Sequence, residues 1–245
     1  MQQIEYKESP SPHVVVKNFL PIPAARACLE EAQKLESVYV DADIGGSWGR
    51  SEEELDGCEE CVAIKTSLYE GIRQNKVVYL DKYYSMERHK SKILRHLEIA
   101  LLSDYLIETF KSLPNMFPII QQTTHMETIL SSYGKCDFYG WHTDSLPDTP
   151  SARVITCVLH FNTEPQQYKG GELVLSGKTL EDQLAYPPVH NTAIFFESNK
   201  LVHAVDETEH EGEFKDSRFS INMWLGFDFR EHGSSQELSF HHKYR

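Results

Sequence analysis

The stretch RFSINMWLGF, residues 218–227, decides what kind of chain this is. Arg218, Ser220, Asn222 and Trp224 alternate with Phe219, Ile221, Met223 and Leu225. A repeat of two is the repeat of a β-strand, whose successive side chains point to opposite faces. One face is therefore polar and the other apolar. A sheet that covers a core and sends its polar face to water has this pattern. So does a strand in a barrel that holds a polar ligand, and a row of Arg, Ser, Asn and Trp suits that second setting.

Working back from this strand, the stretches RVITCVLHFN (153–162), GGELVLSG (170–177), TAIFFES (192–198) and LVHAV (201–205) are short apolar runs bounded by turn residues, as strands are. HMETILSSY (125–133) puts Glu127, Ile129, Ser131 and Tyr133 on one face. Before about residue 120 the character changes. VVVKNFLPIPAARACLEEAQKL (14–35) reads as a short strand and then a helix opening at Pro21 and Pro23, and MERHKSKILRHLEIALLSDYLIETFKSLP (86–114) as one long amphipathic helix stopping before Pro114. DADIGGSWGRSEEELDGCEEC (41–61) reads as a Gly- and acid-rich loop. Helices first and strands afterwards predict an α+β domain in which N-terminal helices buttress one face of an antiparallel sheet system. The expected organisation is one domain over 1–245, with helical support and a lid in 1–120, the strand core in 121–230 and a tail in 231–245.

With 245 residues, 40% hydrophobic and 11% aromatic, the chain can bury one sizeable core. Its 37 acidic against 24 basic residues, a net charge of −13, disfavour nucleic acid and anionic membrane as partners and favour a cationic or neutral small substrate. No run of 18 apolar residues and no charged-then-apolar leader is seen. The five cysteines, Cys28, Cys58, Cys61, Cys136 and Cys157, are odd in number and scattered. A soluble, cytoplasmic protein of a reducing compartment is expected. Cys58 and Cys61 have no second Cys/His pair at ligand spacing, which argues against a zinc site.

The chemistry lies in FYGWHTDS (138–145). With 12 histidines and 12 aspartates in 245 residues, a His-x-Asp triplet is expected by chance about 0.6 times, so the triplet needs partners. In a strand, His142 and Asp144 project to the same side and present an imidazole nitrogen and a carboxylate oxygen to one point. His203, in an apolar strand-like run 61 residues later, supplies a third ligand. Two histidines and one carboxylate on one face form the site that leaves positions open on Fe(II). Arg218 follows, with a guanidinium able to hold a dicarboxylate bidentately. His125, His160 and His190 are expected to be satisfied core or surface histidines.

On YGKCDFYGWHTD, GGELVLSG, NTAIFFESNKLVHAV and RFSINMWLGF, in that order over 125–228, the chain resembles the Fe(II)- and 2-oxoglutarate-dependent dioxygenases, in the branch of the prolyl 4-hydroxylases. The resemblance implies a double-stranded β-helix (jelly-roll) core with His142, Asp144 and His203 as iron ligands and Arg218 on the distal carboxylate of 2-oxoglutarate. It also implies that Tyr133 and Ser220 contact the co-substrate and that Gly170 and Gly171 form the turn into the GGEL strand. Fe(II), 2-oxoglutarate and O₂ would be required, with ascorbate as an accessory reductant, and a carboxylate at Asp144 favours hydroxylation over halogenation. Two departures stand out. The segment AVDETEHEGEFKDS (204–217) is longer than usual, which implies an acidic hairpin insertion and makes His210 a rival to His203; and Cys136 stands where a glycine is common.

Glu127, Asn222 and Trp224 extend the polar face. A carboxylate, an amide and an indole predict a pocket for a small amine-bearing substrate such as a free amino acid. A prolyl or other peptidyl hydroxylase, and a barrel that binds a ligand without turnover, are the alternative readings. The residues leave substrate identity, the carbon hydroxylated and oligomeric state open.

Overall fold

The computed structural model describes residues 2–42, 72–145, 151–177, 179 and 182–228, without the side chains of 151, 152 and 228. In chain order the elements are β1 (Gln3–Lys7), β2 (His13–Lys17), α1 (Ile22–Lys34), β3 (Val40–Asp41), β4 (Arg73–Gln74), β5 (Lys76–Tyr79), α2 (Leu80–Tyr83), α3 (Lys92–Leu101) and α4 (Asp104–Lys111). There follow β6 (His125–Tyr133), β7 (Phe138–His142), β8 (Ser151–Phe161), β9 (Tyr168–Gly170), β10 (Leu173–Ser176) and β11 (Gln183–Tyr186). The last are β12 (Thr192–Glu197), β13 (His203–Val205), β14 (Thr208–His210) and β15 (Arg218–Asp228). An eight-stranded sheet runs β1-β2-β12-β8-β15-β6-β5-β3, a five-stranded sheet β11-β10-β13-β7-β4, and β14 pairs with β9.

The strand β15 is central, with β6 and β8 antiparallel to it on its two sides. Phe219, Ile221, Met223 and Leu225 enter one buried cluster with Leu130, Ile155, Cys157, Leu159 and Phe195. Residues of the helices, Ala25 and Cys28 of α1, Leu94 and Leu97 of α3 and Phe110 of α4, belong to the same cluster. The Phe110 and Phe195 rings meet edge to face at 5.1 Å. A fully buried Phe contributes about 1.5–3 kcal/mol, so this layer anchors the large sheet. The opposite face of the large sheet meets the small one: Val158, Ile194 and Phe196 pack with Leu173, Leu175 and Val205 in a second cluster. Two antiparallel sheets facing each other in this way form the jelly roll. The polar face of β15 is not solvated, since Arg218 is 0% and Ser220 1% exposed. It looks between the sheets, which decides for the barrel interior over the wet sheet.

Two features differ from the sequence reading. The expected long helix over 86–114 is two helices, α3 and α4, because Ser103 accepts a hydrogen bond from Leu106 N (3.4 Å) and opens a second helix where one would have continued. Ser91 caps α3 in the same way, accepting from Leu94 N at 3.1 Å. The buried Glu31 of α1 then accepts from the Ser91 hydroxyl (2.8 Å) and Ile93 N (2.9 Å), fixing α1 to the start of α3. The second difference is in the N-terminal region, where β1, β3 and β5 join the large sheet beside the expected short strand, β2. These strands are two to five residues long, too short to show a reliable period. Cys58, Cys61 and most of the Gly- and acid-rich loop lie outside the described residues. No helix among the described residues is long and apolar enough to cross a membrane.

Candidate metal and co-substrate site

His142 ends β7 and His203 begins β13, and the two are direct cross-strand partners. Asp144 lies two residues past His142, its amide donating to Ser198 O at 3.1 Å. His142 Nε2 stands 3.6 Å from Asp144 Oδ1 and His203 Nε2 3.4 Å from Asp144 Oδ2. The ligand atoms of all three lie within 4.8 Å of one another. Each ring is oriented from behind: Nδ1 of His142 meets Gly140 O at 2.8 Å and Nδ1 of His203 meets Leu201 O at 3.2 Å. A carbonyl can only accept, so Nδ1 carries the proton and each Nε2 turns a lone pair toward the third residue.

The electrostatics agree with a metal centre. Burial lowers His203 to about 4, keeping it neutral near pH 7. Burial pushes the Asp144 carboxyl up, but His203, His142 and a 2.7 Å hydrogen bond from Thr156 outweigh it and hold the group well below the usual carboxylate range. Two imidazoles and one ionised carboxylate on one side of a point are the donor set of an open non-haem Fe(II) site. Tyr139, which sequence reasoning passed over, stacks on His142 with centroids 3.6 Å apart, and Arg73 covers the other Tyr139 face at 4.4 Å. The rival His210 is on β14, hydrogen-bonded to Glu213 O at 3.1 Å, outside the trio.

Arg218 is buried with its Nε donating to Gly171 O (2.7 Å) and Nη1 to Ser220 Oγ (3.3 Å), while its guanidinium lies over the Tyr133 ring at 4.5 Å. Gly171 is required there: φ is +72°, and a Cβ would stand 2.5 Å from Arg218 Cδ. Gly170 shares the left-handed turn, with φ +70°. Cys136 also adopts φ +61°, the conformation that explains why a glycine is common at that position. Tyr133 lies between the two halves of the site, near enough to Arg218 and Asp144 that both charges act on its phenol, although burial is the larger effect.

Among the described residues no carboxylate forms an ion pair with Arg218, and its Nη2 has no hydrogen-bond partner. The Tyr168 hydroxyl, Thr208 Oγ1 and both ring nitrogens of His160 are likewise buried and unpartnered. His160 is opposite Ser220 in the sheet, and the Arg218 charge acts on both His160 and Tyr168. A buried cation without an anion is costly, and unpartnered donors around it lower that cost only when an anionic ligand arrives. The residues present therefore fit a dicarboxylate such as 2-oxoglutarate. His125 and His190 have partners, Glu127 at 3.7 Å and Asn162 N at 3.2 Å, as expected of ordinary histidines, but His160 does not. No local signal in LHFN marks it, because its solitude comes from strands far away in sequence.

The residues expected to hold substrate are arranged differently from the sequence reading. The Glu127 carboxylate is paired with Arg153, Oε2 to Nη2 at 2.5 Å, and Arg153 lies over the Trp224 ring at 4.0 Å. Asn222 Nδ2 donates to Ser131 Oγ at 3.4 Å. The indole Nε1 of Trp224 has no hydrogen-bond partner among the described residues.

Facing antiparallel sheets with a two-histidine, one-carboxylate centre between them define a jelly-roll oxygenase scaffold. The model of the 2OG-Fe(II) oxygenase superfamily matches residues 128–226, the region that carries the trio and Arg218. Over this region the chain resembles the 2OG-Fe(II) oxygenase superfamily, whose cofactor and co-substrates are Fe(II), 2-oxoglutarate and O₂. A PKHD-type hydroxylase of Synechocystis is 27% identical over 169 residues, 64% of this chain and 54% of that protein. The chain thus spans about half the length of the curated relative it matches. The fold is similar to that of a Pseudomonas putida prolyl-4-hydroxylase (TM-score 0.59, 17% identity, 88% of this chain and 92% of that one). It is also similar to a Trichoplax adhaerens prolyl hydroxylase solved with a hypoxia inducible factor peptide (TM-score 0.57, 17% identity, 87% and 83%).

Proposed function

We propose that the chain hydroxylates an unactivated C–H bond of a peptidyl residue, prolyl being the first choice, coupled to conversion of 2-oxoglutarate to succinate and CO₂. The observation that carries the reaction class is the combination, in one interior, of the His142, Asp144 and His203 trio with the buried Arg218, whose Nη2 has no partner among the described residues. Bound Fe(II) would supply oxygen activation. The chain's own residues do the rest: His142, Asp144 and His203 hold the metal, and Arg218 with Ser220, Tyr168 and Thr208 binds the distal carboxylate. Tyr133 separates the two, and the sheets exclude water.

The preference for a peptidyl residue rests on Glu127. Its charge is neutralised by Arg153, so it offers little to an ammonium group, while Trp141, next to His142 in β7, is an exposed aromatic that suits an apolar ring of a peptide. The second reading, a free amino acid, is favoured by the net charge of −13, which attracts cations. The test supplies Fe(II), 2-oxoglutarate, O₂ and ascorbate with proline- and lysine-containing peptides in one panel and free amino acids in the other. Mass spectrometry reads a gain of one oxygen, and succinate is measured in parallel. Hydroxylated free amino acid without hydroxylated peptide overturns the substrate choice, and absence of iron-dependent succinate in every arm overturns the reaction class.

A further inference from the structure

We infer that Arg153 is a positioning residue for the metal centre, aimed into it by a β-bulge and pinned by Glu127 and Trp224. The inference rests on the proposed metal site.

Alternation along β8 places Ile155 and Cys157 in the core cluster shared with the helices, while Thr156 faces Asp144. Simple alternation would therefore send Arg153 into that apolar cluster, where an uncompensated guanidinium would be very costly. It does not go there. Ile155 is opposite Leu225 but Arg153 is opposite Gly226, so one extra residue, Val154, is inserted in β8 at this point. Val154 packs against the core cluster next to Ile155, and Arg153 comes out on the same face as Thr156 and Trp224. Re-aiming one side chain beside a site is what a bulge does. Gly226, opposite Arg153, has no side chain to stand between the guanidinium and β6 beyond.

There the guanidinium is held on three sides. Nη2 and Nε donate to the two Glu127 oxygens at 2.5 and 3.3 Å, and Cζ lies 4.0 Å from the Trp224 ring. Nη1 donates to the main-chain carbonyl of Asp144 at 3.0 Å. Asp144 is thus fixed at its amide by Ser198, at its carboxylate by Thr156 and at its carbonyl by Arg153. Asp144 lies beyond the end of β7, outside any ladder, so these contacts set where its carboxylate points. Lys cannot reproduce a planar fork that binds a carboxylate bidentately, stacks on an indole and still reaches a carbonyl.

The experiment titrates the metal-free protein with Co(II) and follows the visible absorption of the complex, alongside the melting temperature without metal. Arg153→Lys should weaken Co(II) binding about 10–100-fold, the range for partners one step behind the ligands, and change the band shape at saturation. The KM for 2-oxoglutarate should be unchanged, because Arg218 is untouched. Glu127→Gln, which keeps the guanidinium but loosens its pin, should fall between. If Arg153→Lys does not fold, the paired variant Arg153→Gln with Glu127→Gln, which removes both charges together, is titrated instead with the same expectation. Unchanged Co(II) affinity and band shape in the folded variant overturn the inference. A wild-type protein that binds no Co(II) at the trio overturns the metal site itself, a distinguishable result.

Discussion

His142 and His203, 61 residues apart, are cross-strand partners whose ring centroids are 4.1 Å apart. Sheet registry, not chain proximity, makes them a pair. Alanine at His203 should therefore abolish iron-dependent succinate formation and Co(II) binding at the trio, whereas His210→Ala should leave both within about twofold. Activity retained in His203→Ala and lost in His210→Ala would reverse the choice of third ligand.

Arg218 is buried and forms no ion pair among the described residues. Truncating it to Ala should raise the KM for 2-oxoglutarate by the equivalent of about 2–5 kcal/mol, the cost of removing one partner of a buried charge pair. Gly171→Ala should act on the same constant without removing any charge, because the new Cβ meets Arg218 Cδ at 2.5 Å at a φ of +72°. Such strain costs about 1–3 kcal/mol. Steady-state kinetics in 2-oxoglutarate check both, and an unchanged KM in either variant contradicts the assignment.

The metal-free protein should lose stability in acid. Unfolded His203 takes up its proton near 6.5, but burial delays this in the folded chain to about 4. Between these values the unfolded state binds more protons, so stability falls as pH falls, by about 3 kcal/mol in all. Asp144 acts in the same direction at lower pH, since its depressed value means that acid removes a stabilising charge. Melting temperature measured from about pH 7 to pH 5 should drop in the wild type and drop less in His203→Asn. A flat wild-type profile would be inconsistent with a neutral buried His203.

Glu31→Ala should destabilise the fold without touching the site. The buried carboxylate answers the Ser91 hydroxyl and the Ile93 amide, and losing hydrogen bonds to a charged group costs about 1.5–3 kcal/mol each at most. Denaturant unfolding should show the loss while Co(II) affinity at the trio stays the same.

The alternation in RFSINMWLGF, the His-x-Asp triplet and the short apolar runs were legible because each depends on neighbours one to four residues away. From them follow the strand core, two of the three proposed metal ligands and the polar face that carries Arg218. The order of motifs added His203 as the third proposed ligand, and pairing with β7 places His203, not the rival His210, beside His142. The break between α3 and α4 was visible only as Ser103, one cap in a periodic run that continues past it. What residues far apart do to one another could not be read along the chain. Glu127 looked like a free carboxylate because Arg153, 26 residues on, reaches it only through the inserted Val154. His160, Tyr168 and Thr208 surround Arg218 only after four strands have been placed, and whether a buried polar atom has a partner is a property of that packing rather than of any local sequence.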